Sequence, residues 1–233
     1  MSYRTGPKIV TDGLVLCLDA ADRNSYPGSG TKWYDLCGNT NFTLYNGPVF
    51  NNNRFSCDGS NDSIISDSNF ALVGSDITIS IGFYMHNFAA SCACPGVGGL
   101  FNMDGFSYSN YLYFLHGGGT HPFFIQGNSQ GGSNRVITVV TGANLLDNWY
   151  FLTFTYNNTS YLFKGYINGS YVGQNTFTHA LDMTNKIYLS SYIKSCGNCY
   201  TESDIAFLSI NRKELSASEV LQNYNATKGR FGL

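Results

Sequence analysis

The chain has 233 residues, 12% charged side chains and a formal net charge of −2. With no cluster of Lys and Arg, this excludes a protein that tracks nucleic-acid phosphates. No run is long and apolar enough to span a bilayer, and the polar start Met-Ser-Tyr-Arg-Thr-Gly-Pro-Lys has no apolar core of a secretory signal, which predicts synthesis in a cytosol. The first stretch, residues 1–9, reads as an extended arm, and residues 10–233 as one domain. That length suits a single all-β unit, which would bury roughly 70% of its unfolded surface. The seven cysteines are therefore not needed as staples.

Residues 10–18 are rich in Val and Leu and predict a first strand. A polar connection follows through Pro27, Gly28 and Gly30, then an aromatic-anchored turn at residues 33–39. Short strands are expected at 42–45, 49–50, 54–57 and 63–65, with an Asp58-Gly59 turn among them. In residues 76–83, Ile77, Ile79, Ile81 and Phe83 share one face, with Thr78, Ser80 and Gly82 opposite. This is the period of two of a half-buried strand. Further strands are expected at 99–103, 111–115, 123–126, 136–140, 187–189 and 204–210, each bounded by Gly or Asn. Residues 149–172 predict a meander: Tyr150, Leu152, Phe154 and Tyr156 face one way and Thr153 and Thr155 the other. Asn157-Asn158-Thr159 breaks the run, residues 161–167 return, and Asn168-Gly169 closes a tight hairpin in which both central residues need φ > 0. One short helix is expected near the end. Ser216 and Glu219 form a capping box, Leu215 and Val220 a hydrophobic staple, Val220, Leu221 and Tyr224 an apolar face, and Gly229 the stop. Many short strands with no helix between them predict an all-β, two-sheet antiparallel sandwich with one C-terminal helix.

The wording of several segments carries a resemblance. They are Asp12-Gly13-Leu14-Val15-Leu16-Cys17-Leu18-Asp19-Ala20-Ala21, the Trp33-Tyr34-Asp35-Leu36-Cys37-Gly38-Asn39 turn, the Asp58-Gly59 turn, the Trp149 strand, Ile167-Asn168-Gly169, and residues 211–233. In this order they resemble a laminin-G-like domain of the concanavalin A-like lectin/glucanase group, of the kind carried by tailed bacteriophages. The resemblance implies a jelly roll and a virion surface protein, a head decoration or a tail-associated component. It would be made in the host cytoplasm, present in many copies, docked to other virion proteins, and able to bind host-surface glycans; a lectin-like adhesion module is the alternative, and a glycoside hydrolase a lesser one. Cys37 stands where the family's turn has Ser, and residues 91–96 and 195–199 look like insertions.

Candidate sites follow from chemistry. Cys92, Cys94, Cys196 and Cys199 sit in two close pairs, which suits a structural zinc site, disulfides or free thiols. Cys17, Cys37 and Cys57 read as buried small hydrophobes, with a Cys37–Cys57 bridge as a lesser alternative. Tyr108, Tyr111, His116 and His121 flank a Gly-rich loop, and are candidates for a ligand pocket or for solvent-facing loop residues over a core. Asp58, Asp62 and Asp204 are candidate calcium ligands, as acidic residues are in some members of the family, though turn capping explains them equally well. Catalysis is not expected. Only three Glu occur, Glu202, Glu214 and Glu219, and no Glu-x-Asp-x-x-Glu pattern is present. No acidic pair on one strand is expected, and there is no Gly-x-Ser-x-Gly elbow.

Overall fold

The computed structural model describes residues 7–87, 97–104, 111–117, 123–128, 135–140, 146–194 and 197–230. Alternating apolar and polar residues set the strands. The first half of the chain supplies β1 (Leu14–Asp19), β2 (Lys32–Trp33), β3 (Phe42–Tyr45), β4 (Val49–Asn51), β5 (Arg54–Asp58), β6 (Ser63–Ser66), β7 (Phe70–Leu72), β8 (Ile77–Met85) and β9 (Val97–Asp104). The second supplies β10 (Tyr111–Gly117), β11 (Phe123–Asn128), β12 (Arg135–Val140), β13 (Trp149–Tyr156), β14 (Leu162–Ile167), β15 (Ser170–Thr176), β16 (Met183–Asn185), β17 (Tyr188–Leu189), β18 (Ser191–Lys194), β19 (Gly197–Tyr200) and β20 (Glu202–Asn211), then α1 (Ala217–Thr227).

Two large antiparallel sheets result. One runs β15-β14-β13-β8-β20-β5-β4, and the other β12-β11-β10-β9-β17-β6-β3-β2. The pairs β7–β16 and β18–β19 stand apart. The hub of the first sheet is β20. One edge pairs with β8. The other edge pairs first with β5, at Glu202 to Ile205, and then with β1, at Phe207 to Asn211. A register shift between Ile205 and Phe207 marks the changeover.

The core lies between the sheets. Ile77, Ile79, Ile81 and Phe83 of β8 join Leu152, Phe154 and Tyr156 of β13 and meet Leu100, Phe101 and Phe114 of the other sheet. Phe114 and Phe154 touch across the gap with ring centroids 6.3 Å apart. Each such side chain contributes about 1.5–3 kcal/mol on burial. The expected alternation on β8 and β13 holds, but the opposite face is not simply wet: Thr78 and Ser80 are also buried. Helix α1 and the segment before β1 form a partial third layer over this face. Small hydroxyls let the cover approach and satisfy its polar groups. Thr78 Oγ1 donates to the Lys213 carbonyl at 2.7 Å and accepts from the Leu215 amide at 2.9 Å.

The capping box forms as expected, and Leu215 and Val220 pack in one cluster with Tyr166. The apolar face of the helix differs from expectation. Leu221 is 45% exposed, and the buried residues are Val220, Asn223 and Thr227. Asn223 is buried because it latches the N-terminal segment: its Oδ1 accepts from the Val10 amide at 2.7 Å. For the same reason the first strand begins at Leu14 and not at residue 10. Gly229 is no left-handed stop: the helix runs on through Lys228, an αR cap, into a short 3-10 turn. The Asn168-Gly169 hairpin has the required positive φ values, 50° and 77°, and lies beneath α1.

Asp35 organises the aromatic-anchored turn. Its carboxylate accepts from the amides of Cys17 (2.8 Å), Cys37 (3.0 Å), Asn39 (2.8 Å) and Thr40 (3.3 Å). Trp33 beside it is fully buried. Cys17, Cys37 and Cys57 are free thiols, so the alternative of a Cys37–Cys57 bridge fails. Cys37 packs near Cys17 instead. Burial pushes the thiols of Cys17 and Cys57 up to about 12 and that of Cys37 up to about 11.

Candidate functional site

Helix α1 covers one part of the outer face of the first sheet, and a different set of side chains occupies the end where β8 and β20 meet β5 and β13. Register decides which they are. Trp149 lies opposite Tyr84, Tyr84 opposite Asp204, and Asp204 opposite Ser56. Their chain neighbours Phe83, Ile205, Phe55 and Cys57 point into the core, so this row points away from it. A second row holds His86, Glu202 and Asp58. The His86 amide donates to the Glu202 carbonyl at 3.1 Å, and Glu202 pairs with Asp58.

The aromatic members are contiguous. Tyr84 and His86 have ring centroids 4.7 Å apart, and Tyr84 and Trp149 5.8 Å. The Arg54 guanidinium sits over the Trp149 ring, 5.8 Å from its centroid. Asp204 forms the floor, with its side chain only 1% exposed. Its Oδ1 lies 3.0 Å from His86 Nε2, and its Oδ2 lies 2.7 Å from Arg54 Nε. The second contact is an ion pair without an aligned hydrogen bond: neither atom has a hydrogen-bond partner. Both atoms are buried, so the ion pair is a support beneath the rings and does not itself face a ligand. At the edge, Tyr84 donates to Asp147 Oδ1 at 3.4 Å. Desolvation, reinforced by the Asp147 carboxylate, pushes the Tyr84 phenol upward.

The arrangement offers flat apolar ring faces, a carboxylate floor, and guanidinium and imidazole donors. Such a surface suits a ligand that is apolar on one face and rich in hydroxyls at its edges. A cavity of about 920 Å³ elsewhere is lined by Lys8, Asp19, Phe207, Asn225 and Arg230 among others. There the buried carboxylate, Asp19, is already paired with Arg230.

The residues expected from sequence are dispersed. Asp58 and Asp62 cap one turn. Asp58 Oδ1 accepts from the amides of Ser60 (2.8 Å) and Asn61 (3.3 Å), which holds its carboxyl below the usual range. Asp62 Oδ2 accepts from the Asp58 amide at 3.1 Å, while burial pushes its own carboxyl upward. Asp204 belongs to the platform, with its oxygens turned to Arg54 and His86. Among the described residues no three or more His, Cys, Asp or Glu form a group suited to a metal ion. Cys199 is buried and disulfide-bonded; Cys92, Cys94 and Cys196 lie outside the described residues. Tyr111 and His116 lie on β10, where they pair with Asn128 and Phe123 of β11. Tyr108 and His121 lie outside the described residues.

Sequence reasoning missed Arg54, Tyr84, His86 and Trp149 as a group. It also missed an acidic pair on one strand: Glu202 and Asp204 are two apart on β20 and face the same way.

The family model described as the concanavalin A-like lectin/glucanases superfamily matches residues 58–221. No curated protein sequence matches the chain. Among solved structures, a Trypanosoma rangeli sialidase in complex with 2,3-difluorosialic acid aligns over 97% of this chain and 35% of its own, at 13% identity and a TM-score of 0.70. The binding domain of Paraclostridial Mosquitocidal Protein 1 aligns over 92% of this chain and 52% of its own, at 19% identity and a TM-score of 0.66. The botulinum neurotoxin serotype D binding domain aligns over 91% and 51%, at 18% identity and a TM-score of 0.64. The chain thus spans about a third of the sialidase's length and about half of each toxin domain. At these identities the likeness shows the fold alone. It still corrects the expectation that catalysis is absent. Structures sharing this fold include sialidases, and the sequence argument from unpaired carboxylates fails at Glu202 and Asp204.

Proposed function

Because residues 58–221 match its model, the chain belongs to the concanavalin A-like lectin/glucanases superfamily, and from that premise we propose that it is a lectin-like module whose sugar site is the outer-face platform of Arg54, Tyr84, His86, Trp149 and Asp204. The observation that carries this reading is the contiguous aromatic surface of Tyr84, His86 and Trp149, with the Arg54 guanidinium over the Trp149 ring. A pyranose ring stacks its C–H face on such rings and directs hydroxyls to the flanking Arg54 and His86 side chains, which reach water. A structure of similar fold was solved with a sialic acid derivative, and others are toxin binding domains; both fit a recognition role. The order of the sequence motifs, which resembles that of phage-borne laminin-G-like domains, supports placing the module on a virion surface. Immunogold labelling of intact particles tests that placement.

The sugar site is tested on a glycan array with the full chain and its Trp149→Ala variant. The wild type binds a defined subset of glycans, and the variant loses those signals while circular dichroism shows it still folded at the array temperature. Equal array profiles for the two proteins remove the platform from the account.

A further inference from the structure

We infer that the platform discriminates by charge, favouring neutral and amino sugars over sugars that carry a carboxylate. The inference rests on reading the platform as a sugar site and deepens that reading. Its basis is the balance of charges around the rings. The Arg54 guanidinium is held 2.7 Å from Asp204, so the one fixed cation of the platform is already matched by a buried anion. Three further carboxylates ring the same surface. Glu202 is half-buried on β20, and Asp58 is paired to it on β5. Asp147 is exposed at the entry to β13, beside the Tyr84 hydroxyl. Asp58 is held ionised by the amides of Ser60 and Asn61. Asp147 lies at the Tyr84 hydroxyl, and Glu202, diagonal to Tyr84 across the β8–β20 pair, lies about 8 Å from it, about one Debye length at physiological salt; Asp58, two strands over, lies about 12 Å away.

An incoming carboxylate meets two like charges close by and a third farther out, and among the described residues of the platform no unmatched cation. A neutral ring meets none of this repulsion. Its C–H face stacks on Tyr84 and Trp149, and its hydroxyls reach the half-exposed Arg54 and His86 side chains. An ammonium group gains further from the rim. This ligand class departs from the sialidase that shares the fold, whose bound molecule is a sialic acid derivative.

The test uses the full chain on array glycans in matched pairs with and without a terminal sialic acid, and in matched glucosamine and N-acetylglucosamine forms, at low and high salt. The expected result is about threefold to tenfold weaker binding to the sialylated member at low salt, from the two nearer like-charge contacts. The gap narrows at high salt. Glucosamine termini bind at least as well as their acetylated counterparts. The double variant Asp147→Asn, Glu202→Gln narrows the sialyl gap while the neutral glycans still bind. If sialylated glycans bind equally or better, in a manner abolished by Trp149→Ala, the charge inference is overturned and the platform reading stands. If no glycan binds, or if binding is indifferent to Trp149→Ala, the platform reading fails and the inference goes with it.

Discussion

Replacing Asp204 by Asn tests whether the platform is held together by charge. The substitution keeps the shape and removes the anion. In the native protein the side chain is 1% exposed and sits between Arg54 and His86, whose side chains are 32% and 35% exposed. Removing one partner of a fully buried pair costs about 3–5 kcal/mol. Here both partners reach water, so rehydration lowers the expected cost to about 1–2 kcal/mol. For a domain of this size that is a fall in melting temperature of about 2–8 °C. Thermal and urea unfolding followed by circular dichroism measure it. A double-mutant cycle with Arg54→Met isolates the pair, with an expected coupling of about 1 kcal/mol. Strict additivity, with each single variant destabilising on its own, would refute the claim that the Asp204–Arg54 pair holds the platform together.

Three further outcomes are expected. Asp35→Ala leaves four amides without their acceptor and lowers stability by about 2–4 kcal/mol, whereas Asp35→Asn, which keeps one accepting oxygen, loses less in the same urea titration. Gly59→Ala costs more than Gly169→Ala, although both have positive φ: a Cβ at Gly59 would lie 2.9 Å from the Glu202 backbone nitrogen, which cannot move aside, while at Gly169 it meets the Leu221 side-chain tip at 2.8 Å. Equal melting temperatures for the two variants would contradict that ordering. The third outcome is alkaline. Unfolded thiols titrate near 8.5, but Cys17, Cys37 and Cys57 are pushed up to about 11–12 in the fold. The native state keeps these protons longer, so their stability is complete below about pH 8.5 and is lost as the pH rises towards 12. Cys57→Ala makes the decline between pH 9 and 11 shallower in a series of melts; an unchanged slope speaks against the effect.

Period-two alternation made the sandwich legible. On β8 and β13 the inward set follows directly from Ile77, Ile79, Ile81, Phe83, Leu152 and Phe154, and the Asn168-Gly169 turn and the Ser216/Glu219 cap are local chemistry that needs no tertiary context. The third layer was not legible. Thr78 and Ser80 read as solvent-facing because nothing local says that α1 and residues 9–10 return over them. The Asn223 latch to Val10 joins residues 213 apart, beyond any window of periodicity. The platform was hidden for the same reason. Arg54, Tyr84, Trp149 and Asp204 come from four strands far apart in sequence, and only the pairing of β5, β20, β8 and β13 brings them into rows. Glu202-x-Asp204 was visible in principle, since two residues of spacing on a strand means one face. The prominent Gly-rich stretch around His116 and His121 drew the ligand assignment instead.

The chain has two tryptophans, and the fold separates them. Trp33 is fully buried, and Trp149 is half-buried on the platform. Titrating a glycan identified on the array into isotope-labelled protein, and following the two indole N–H resonances, therefore reports on the site directly. The account predicts that the Trp149 resonance moves with saturation while that of Trp33 stays fixed. Binding that leaves the Trp149 resonance in place, with shifts confined to residues around β10, would contradict it.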